Sequence, residues 1–124
     1  MSHFTSLQKV AITDVSAFIK AAKELGFTEV KRNAKMRGFA GNTQQAEVVV
    51  SHPKCEYDIG LVKNNGKLEV VSDWWGVDHT VSNAADRISQ LTTKHTIVSK
   101  YSKMGFMAQT VTDKKGNIVV NLTR

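Results

Sequence analysis

Four places in this chain hold residues that could do chemistry. His52, Cys55 and Asp58 follow an H-x2-C-x2-D spacing, with Asp78-His79 further on, and such groups could ligate a metal ion. Structural zinc sites, however, draw on two closely spaced pairs rich in cysteine or histidine. One pair and a carboxylate across a turn containing Pro53 instead predicts solvated side chains, so neither a metal nor another cofactor is expected.

His95 falls between Leu91 and Val98 on an apolar helical stripe. An imidazole titrates close to neutrality, so His95 could carry a proton or act as a switch, with Asp58 or Tyr57 beside it in an enzyme. The default reading is a half-buried histidine bonded to a carbonyl or carboxylate. No serine or cysteine nucleophile with a recognisable local motif accompanies it. No catalytic residue is assigned, and the reading leans away from an enzyme.

The loop Arg37-Gly38-Phe39-Ala40-Gly41-Asn42-Thr43 precedes a run of valines. A phosphate-gripping loop of the Walker type needs a lysine followed by serine or threonine, and then a helix. Neither is present. Gly38-x-x-Gly41 also matches the short loop with which KH domains clamp a nucleic-acid backbone, but that loop joins two helices and this one leads into a strand. A plain turn is the firmer reading. Arg37 and Phe39 still combine a cation, a flexible backbone and an aromatic face, the equipment for backbone contact and stacking.

Trp74-Trp75 is the fourth place. If a strand runs through it, one indole faces inward and one outward, and the outward one is a candidate partner contact, since tryptophan dominates interface hot spots. If the strand ends earlier, both plug the edge of the core. Both readings stay open.

The elements that must position these residues follow from periodicity. Val15, Phe18, Ile19, Ala22 and Leu25 sit at helical spacing between a Thr13-Asp14 cap and Gly26. Val10 and Ile12 before this helix, and Phe27 to Arg32 after it, read as strands. Three β-rich runs follow, "AEVVVSH", "YDIGLVK" and "KLEVVSDW". The last two join through Asn64-Asn65-Gly66, a hairpin signal because Asn and Gly accept positive φ.

A second helix is predicted from about Ser82 through Ala84, Ala85, Ile88, Leu91, His95 and Val98, weakened by the β-branched run "TTKHTIV". The chain closes on a hairpin, where Ile118, Val120 and Leu122 alternate behind Lys114-Lys115-Gly116-Asn117. "KELGFTEV" and "SKMGFMAQ" echo each other, each ending a helix at Gly-Phe before a strand and a Gly-Asn turn. The expected class is α+β, a mostly antiparallel sheet with two helices packed on one face. The echo leaves open two β-α-β-β units in a ferredoxin-like arrangement.

At 124 residues, with 41% apolar and 23% charged residues, the chain fits one soluble globular domain, 1–124. Its single cysteine points to a reducing, cytoplasmic setting. The start lacks the apolar run of a signal peptide, and no stretch approaches a membrane span. A net charge of +6 favours acidic partners, although the basic residues read first as a solvated face, densest at Lys31, Arg32, Lys35 and Arg37 and again at Lys94, Lys100 and Lys103.

"MSHF", "RGFAGNT" followed by "AEVVV", then "YDIG", "HTIV" and "KMGF" before a Gly-Asn hairpin resemble, in that order, the hypothetical chloroplast reading frame thirty-five family. That family is a domain of unknown function from plastids and cyanobacteria, with relatives in bacteria and phages. The resemblance implies a small soluble protein of such a setting and supplies no mechanism. Its members carry a longer segment where this chain has "DWWGVDHT", so it implies no shared role for Trp74 and Trp75.

The expectation is therefore a non-enzymatic module that binds another protein through Arg37, Phe39, Asn42, Thr43, Trp74 and Trp75. Nucleic-acid binding through the basic loop is the alternative, no membrane partner is expected, and pairing of sheet edges in a homo-oligomer stays open.

Overall fold

Asp14 starts the first helix in extended backbone, and its Oδ1 accepts the Ala17 N–H at 3.1 Å, the capping bond that such a residue supplies. The helix, α1 (Val15–Glu24), turns its Ala17, Phe18, Ala21 and Ala22 side inward. The computed structural model describes residues 4–7 and 12–123. Val10 lies outside them, and Ile12 forms an isolated antiparallel bridge with Leu68.

Five strands make the main sheet: β1 (Thr5–Ser6), β2 (Glu29–Arg37), β3 (Thr43–Ser51), β4 (Ile59–Asn64) and β5 (Lys67–Ser72). Their order is β1-β5-β4-β3-β2, with every pairing antiparallel. Asn65 and Gly66 turn β4 into β5 with positive φ at both, as their types predict. Then come α2 (Trp74–Asp78), α3 (Ala84–Lys103), β6 (Met107–Thr112) and β7 (Ile118–Thr123). The α+β class and the mostly antiparallel sheet are as expected.

The helices α1 and α3 share one face of the sheet, where Phe18, Phe27, Leu61, Val70 and Ile88 are buried in a single cluster. Burying each such side chain contributes about 1.5–3 kcal/mol. Contacts to α1 explain why "TTKHTIV" stays helical: Thr92 is buried, Thr96 Oγ1 bonds back to the Thr92 carbonyl at 2.8 Å, and Lys94 and His95 both bond Glu24, which together outweigh a weak local propensity. The helix starts at Ala84 rather than Ser82, because Asn83 takes a left-handed conformation and Asp78 Oδ1 accepts the Ala84 N–H.

Two readings that the sequence left open are decided. β5 ends at Ser72, so Trp74 and Trp75 lie on the short helix α2 and not on a strand. The ferredoxin-like pair of β-α-β-β units is not formed, since β6 and β7 pair with each other in a separate two-stranded sheet against α3. The echo survives locally: Gly26 and Gly105 both end helices at positive φ, and Gly41 and Gly116 both sit in turns.

One feature of the sheet moves the candidate loop. Along β2 and β3 the even-numbered residues first face the helices, as Val30 and its partner Val50 do. Beyond Asn33 they join the opposite cluster, as Ala34, Met36 and Ala46 do. Asn33 has φ +50, and this left-handed residue rotates the strand so that the far end of the β2-β3 hairpin folds over the sheet's other face. Met36 lies there on Gly60, where a Cβ would come 2.7 Å from its sulfur. No helix of the described residues is long and apolar enough to cross a membrane.

Candidate functional site

The folded-over hairpin delivers Arg37 to Asp58, the residue just before β4. The guanidinium grips the carboxylate with two bonds, Nε to Oδ2 at 3.1 Å and Nη2 to Oδ1 at 2.9 Å, while the Arg37 backbone N–H donates to Oδ2 at 2.8 Å. Ser51 Oγ adds a bond to Oδ1 at 2.8 Å, and Arg37 Nη2 reaches the Cys55 carbonyl at 3.2 Å. Asp58 is 2% exposed, and both of its carboxylate oxygens are taken by donors, charge-assisted on the Arg37 side. The bond to Asp58, opposed by burial, raises the Arg37 pKa above its already high ordinary value, so the cation is permanent.

A second buried acid holds the loop two residues on. Asp73, 1% exposed, accepts the Phe39 N–H on Oδ2 at 3.2 Å, and its Oδ1 is buried without a hydrogen-bond donor among the described residues. Between these anchors and β3 the chain turns through Ala40 and Gly41, both at positive φ, closed by Asn42 N–H to Phe39 carbonyl at 3.0 Å. Asn42 thus leads into Thr43, the first residue of β3, which pairs with Arg37 across the hairpin.

The bond at Asp73 places the loop against the start of α2. Trp74 is half-buried there, its Nε1 donating to the Thr5 carbonyl at 2.9 Å. Trp75 points outward, 62% exposed, its ring edge-on to His79 at 4.6 Å. Between loop and helix lies Tyr57, whose ring rests on Gly76 so closely that any Cβ there would overlap it. Arg37, Phe39, Asn42, Thr43, Glu56 and Tyr57 line a cleft of about 470 Å3. Phe39 is 41% exposed at its edge.

The remaining sequence-marked residues stand apart. His95 Nε2 lies 2.7 Å from Glu24 Oε1, which also takes Lys94 Nζ at 3.3 Å, so the imidazole clasps α3 to α1 and meets neither Asp58 nor Tyr57. Burial raises the Glu24 carboxyl, but the His95 and Lys94 bonds outweigh it and hold the group below its ordinary value. His52 takes the Lys54 N–H on Nδ1 and packs edge-on to Phe27. With Asp58 committed to Arg37, the His52, Cys55 and Asp58 set does not converge on a common point, and no group of three metal-ligating side chains gathers among the described residues.

Asp73, Ser51 and Ser72 carry the site and went unmarked in the sequence. Ser72 Oγ bonds the Asp58 carbonyl at 2.8 Å. The available signal was polar residues at the ends of apolar strand runs, "VVVS" and "VVSD", where a buried polar group demands a partner. A wider cleft, about 660 Å3, lies elsewhere, between Ser6, Leu7, α3 and the start of β7, and none of Arg37, Phe39, Asn42, Thr43, Trp74, Trp75 or His95 lines it.

An antiparallel α+β domain with a braced loop beside an exposed tryptophan is the class that fold and site define. More particularly, the chain belongs to the DUF1257 family, proteins of unknown function, whose model matches residues 21–120 and so includes the loop, α2 and α3. No curated protein and no solved structure matches the chain.

Proposed function

We propose that the protein is a non-enzymatic accessory module that binds another protein through the edge formed by Arg37, Phe39, Asn42, Thr43 and Trp75, with Trp74 seating that edge. The observation that carries this reading is the Phe39 N–H bond to Asp73, which sets the loop against the Trp75 helix. Exposed aromatic side chains on a braced backbone present contact area that loses little freedom on binding. Asp58, its oxygens already taken by donors, is a brace in this reading rather than a proton carrier. In line with the family resemblance, the setting is the cytoplasm of a cyanobacterium or phage host, or a plastid stroma.

Affinity capture from such a host with Phe39→Ala and Trp75→Ala variants tests the reading. Loss of the same captured protein with both variants is the expected result; unchanged capture by both removes the site.

Nucleic-acid binding is the second reading, favoured by exposed Lys31, Arg32 and Lys35 on the outer strand β2. Because the Arg37 fork is already held by Asp58, these strand cations would have to make the phosphate contacts. Labelled oligonucleotides titrated at two salt concentrations decide it, since several phosphate contacts make affinity fall steeply with salt. Absence of binding at low salt ends that reading.

A further inference from the structure

The net charge of this protein is confined to its last third. Residues 1–86 hold ten basic and ten acidic side chains, whereas residues 87–124 hold seven basic side chains and one acid, Asp113, and so account for the whole +6. The same region is thinly packed. From Thr93 to Thr123 no residue is buried, and neither core cluster contains a residue of β6 or β7.

The β6-β7 hairpin has two distinct faces. Ala108, Ile118, Val120 and Leu122 are half-buried on the side toward α3. On the outward side Met107 pairs with Thr123, Gln109 with Asn121 and Val111 with Val119, which leaves Met107 75% exposed and Val111 and Val119 exposed, with a polar pair between them. Exposed Met104 precedes them at the end of α3. No charged residue lies within either strand; Lys100 and Lys103 stand before the hairpin, and Lys114 and Lys115 in its turn. A two-stranded hairpin alone is marginally stable in water, and a partner that covers Met107, Val111 and Val119 would add apolar burial to it.

We propose that the outward face of the β6-β7 hairpin docks an acidic protein surface, with apolar side chains that cover Met107, Val111 and Val119, polar groups that meet Gln109 and Asn121 between them, and carboxylates that meet the lysines before the hairpin and in its turn. An apolar core within a charged rim is the anatomy of a protein interface, and methionine adapts to irregular partners. Nucleic acid would stack on exposed aromatic rings, and the exposed residues of this face, Met107, Gln109, Val111, Val119, Asn121 and Thr123, include none. A second copy would bring two regions of like charge together.

The test uses the full-length protein in calorimetric titrations with four probes: a peptide alternating glutamate and leucine, its lysine-for-glutamate analogue, a single-stranded oligonucleotide, and vesicles of phosphatidylcholine and phosphatidylglycerol in equal parts. The acidic peptide alone should bind, less tightly as salt rises, and should protect backbone amides of β6 and β7 from hydrogen exchange. Met107→Ser with Val111→Ser, which leaves the charge intact, should weaken binding about tenfold, as loss of central contacts does. Lys114→Glu with Lys115→Glu, confined to the exposed turn, should weaken it as well, while Trp75→Ala should not.

Circular dichroism checks that each variant stays folded. Absence of acidic-peptide binding overturns the proposal, as does binding that the serine variant leaves unchanged. Binding of the oligonucleotide or the vesicles in place of the peptide, or self-association through this face, overturns it too. None of these results bears on the Phe39 and Trp75 edge, whose variants are scored separately.

Discussion

The backbone N–H of Phe39 donates to Oδ2 of Asp73 at 3.2 Å, a bond that spans 34 residues of sequence and fixes the tip of one hairpin to the start of a helix. Its worth follows from burial: Asp73 is 1% exposed, and its other oxygen has no donor among the described residues. Asp73→Ala leaves the part-buried Phe39 N–H without its acceptor, a loss of about 1–3 kcal/mol, offset in part because it also removes the unpaired Oδ1. Asp73→Asn, which keeps an acceptor for Phe39, should cost less. Urea denaturation gives the stabilities, and hydrogen exchange at the Phe39 amide should accelerate in the alanine variant alone.

Arg37 and Asp58 form a pair with one buried member, and removing the cation leaves the Asp58 charge in the interior with only Ser51 and the Arg37 backbone N–H as donors. Because the Arg37 side chain is itself 53% exposed and water can reach it, Arg37→Ala should destabilise by about 1–3 kcal/mol, less than loss of a fully buried pair. The double variant with Asp58→Ala should be less destabilised than the sum of the two single variants, because the two residues act through one contact. A denaturation cycle across the four proteins measures that difference.

Ala40 sits at φ +56 in the loop turn, a conformation that L-residues with a Cβ adopt at a cost. Ala40→Gly should stabilise the protein by about 0.5–1 kcal/mol, the strain relieved less the entropy that glycine loses on folding. Thermal and urea midpoints should both rise. A fall in both would show that the Ala40 methyl makes a contact worth more than the strain.

Glu24 is the group whose titration should appear in stability against pH. Its carboxyl lies below its ordinary value, held there by His95 and Lys94 against the effect of burial. A depressed carboxylate stabilises the fold above its unfolded value, and that contribution is lost as pH falls through the lower folded value. Glu24→Gln should therefore be less stable than the parent at pH 7, and the two should converge below the ordinary carboxylate range, about pH 4. Melting temperatures across pH 7 to 3 test it; a constant difference would mean that the clasp works through packing rather than charge.

Much of the chain was legible because its signals are local. Asp14 as a cap, the α1 stripe from Phe18 to Leu25, and positive φ at Asn65-Gly66 and Gly116 depend on neighbours a few residues away. The α3 boundary at Ala84 was less so, since it depends on Asp78 reaching across six residues.

The sequence by itself determined the α+β class, the hairpin turns, the concentration of net charge beyond residue 86, and the absence of any phosphate-loop motif, because composition and short-range periodicity suffice for these. Only the tertiary structure decided that Arg37 meets Asp58, that Phe39 is tied to Asp73, and that His95 belongs to Glu24. These partners lie 21, 34 and 71 residues apart. The first two depend on a single rotation at Asn33, which turns half of a hairpin onto the opposite face of the sheet, and no local pattern of residue types encodes where such a rotation carries the chain.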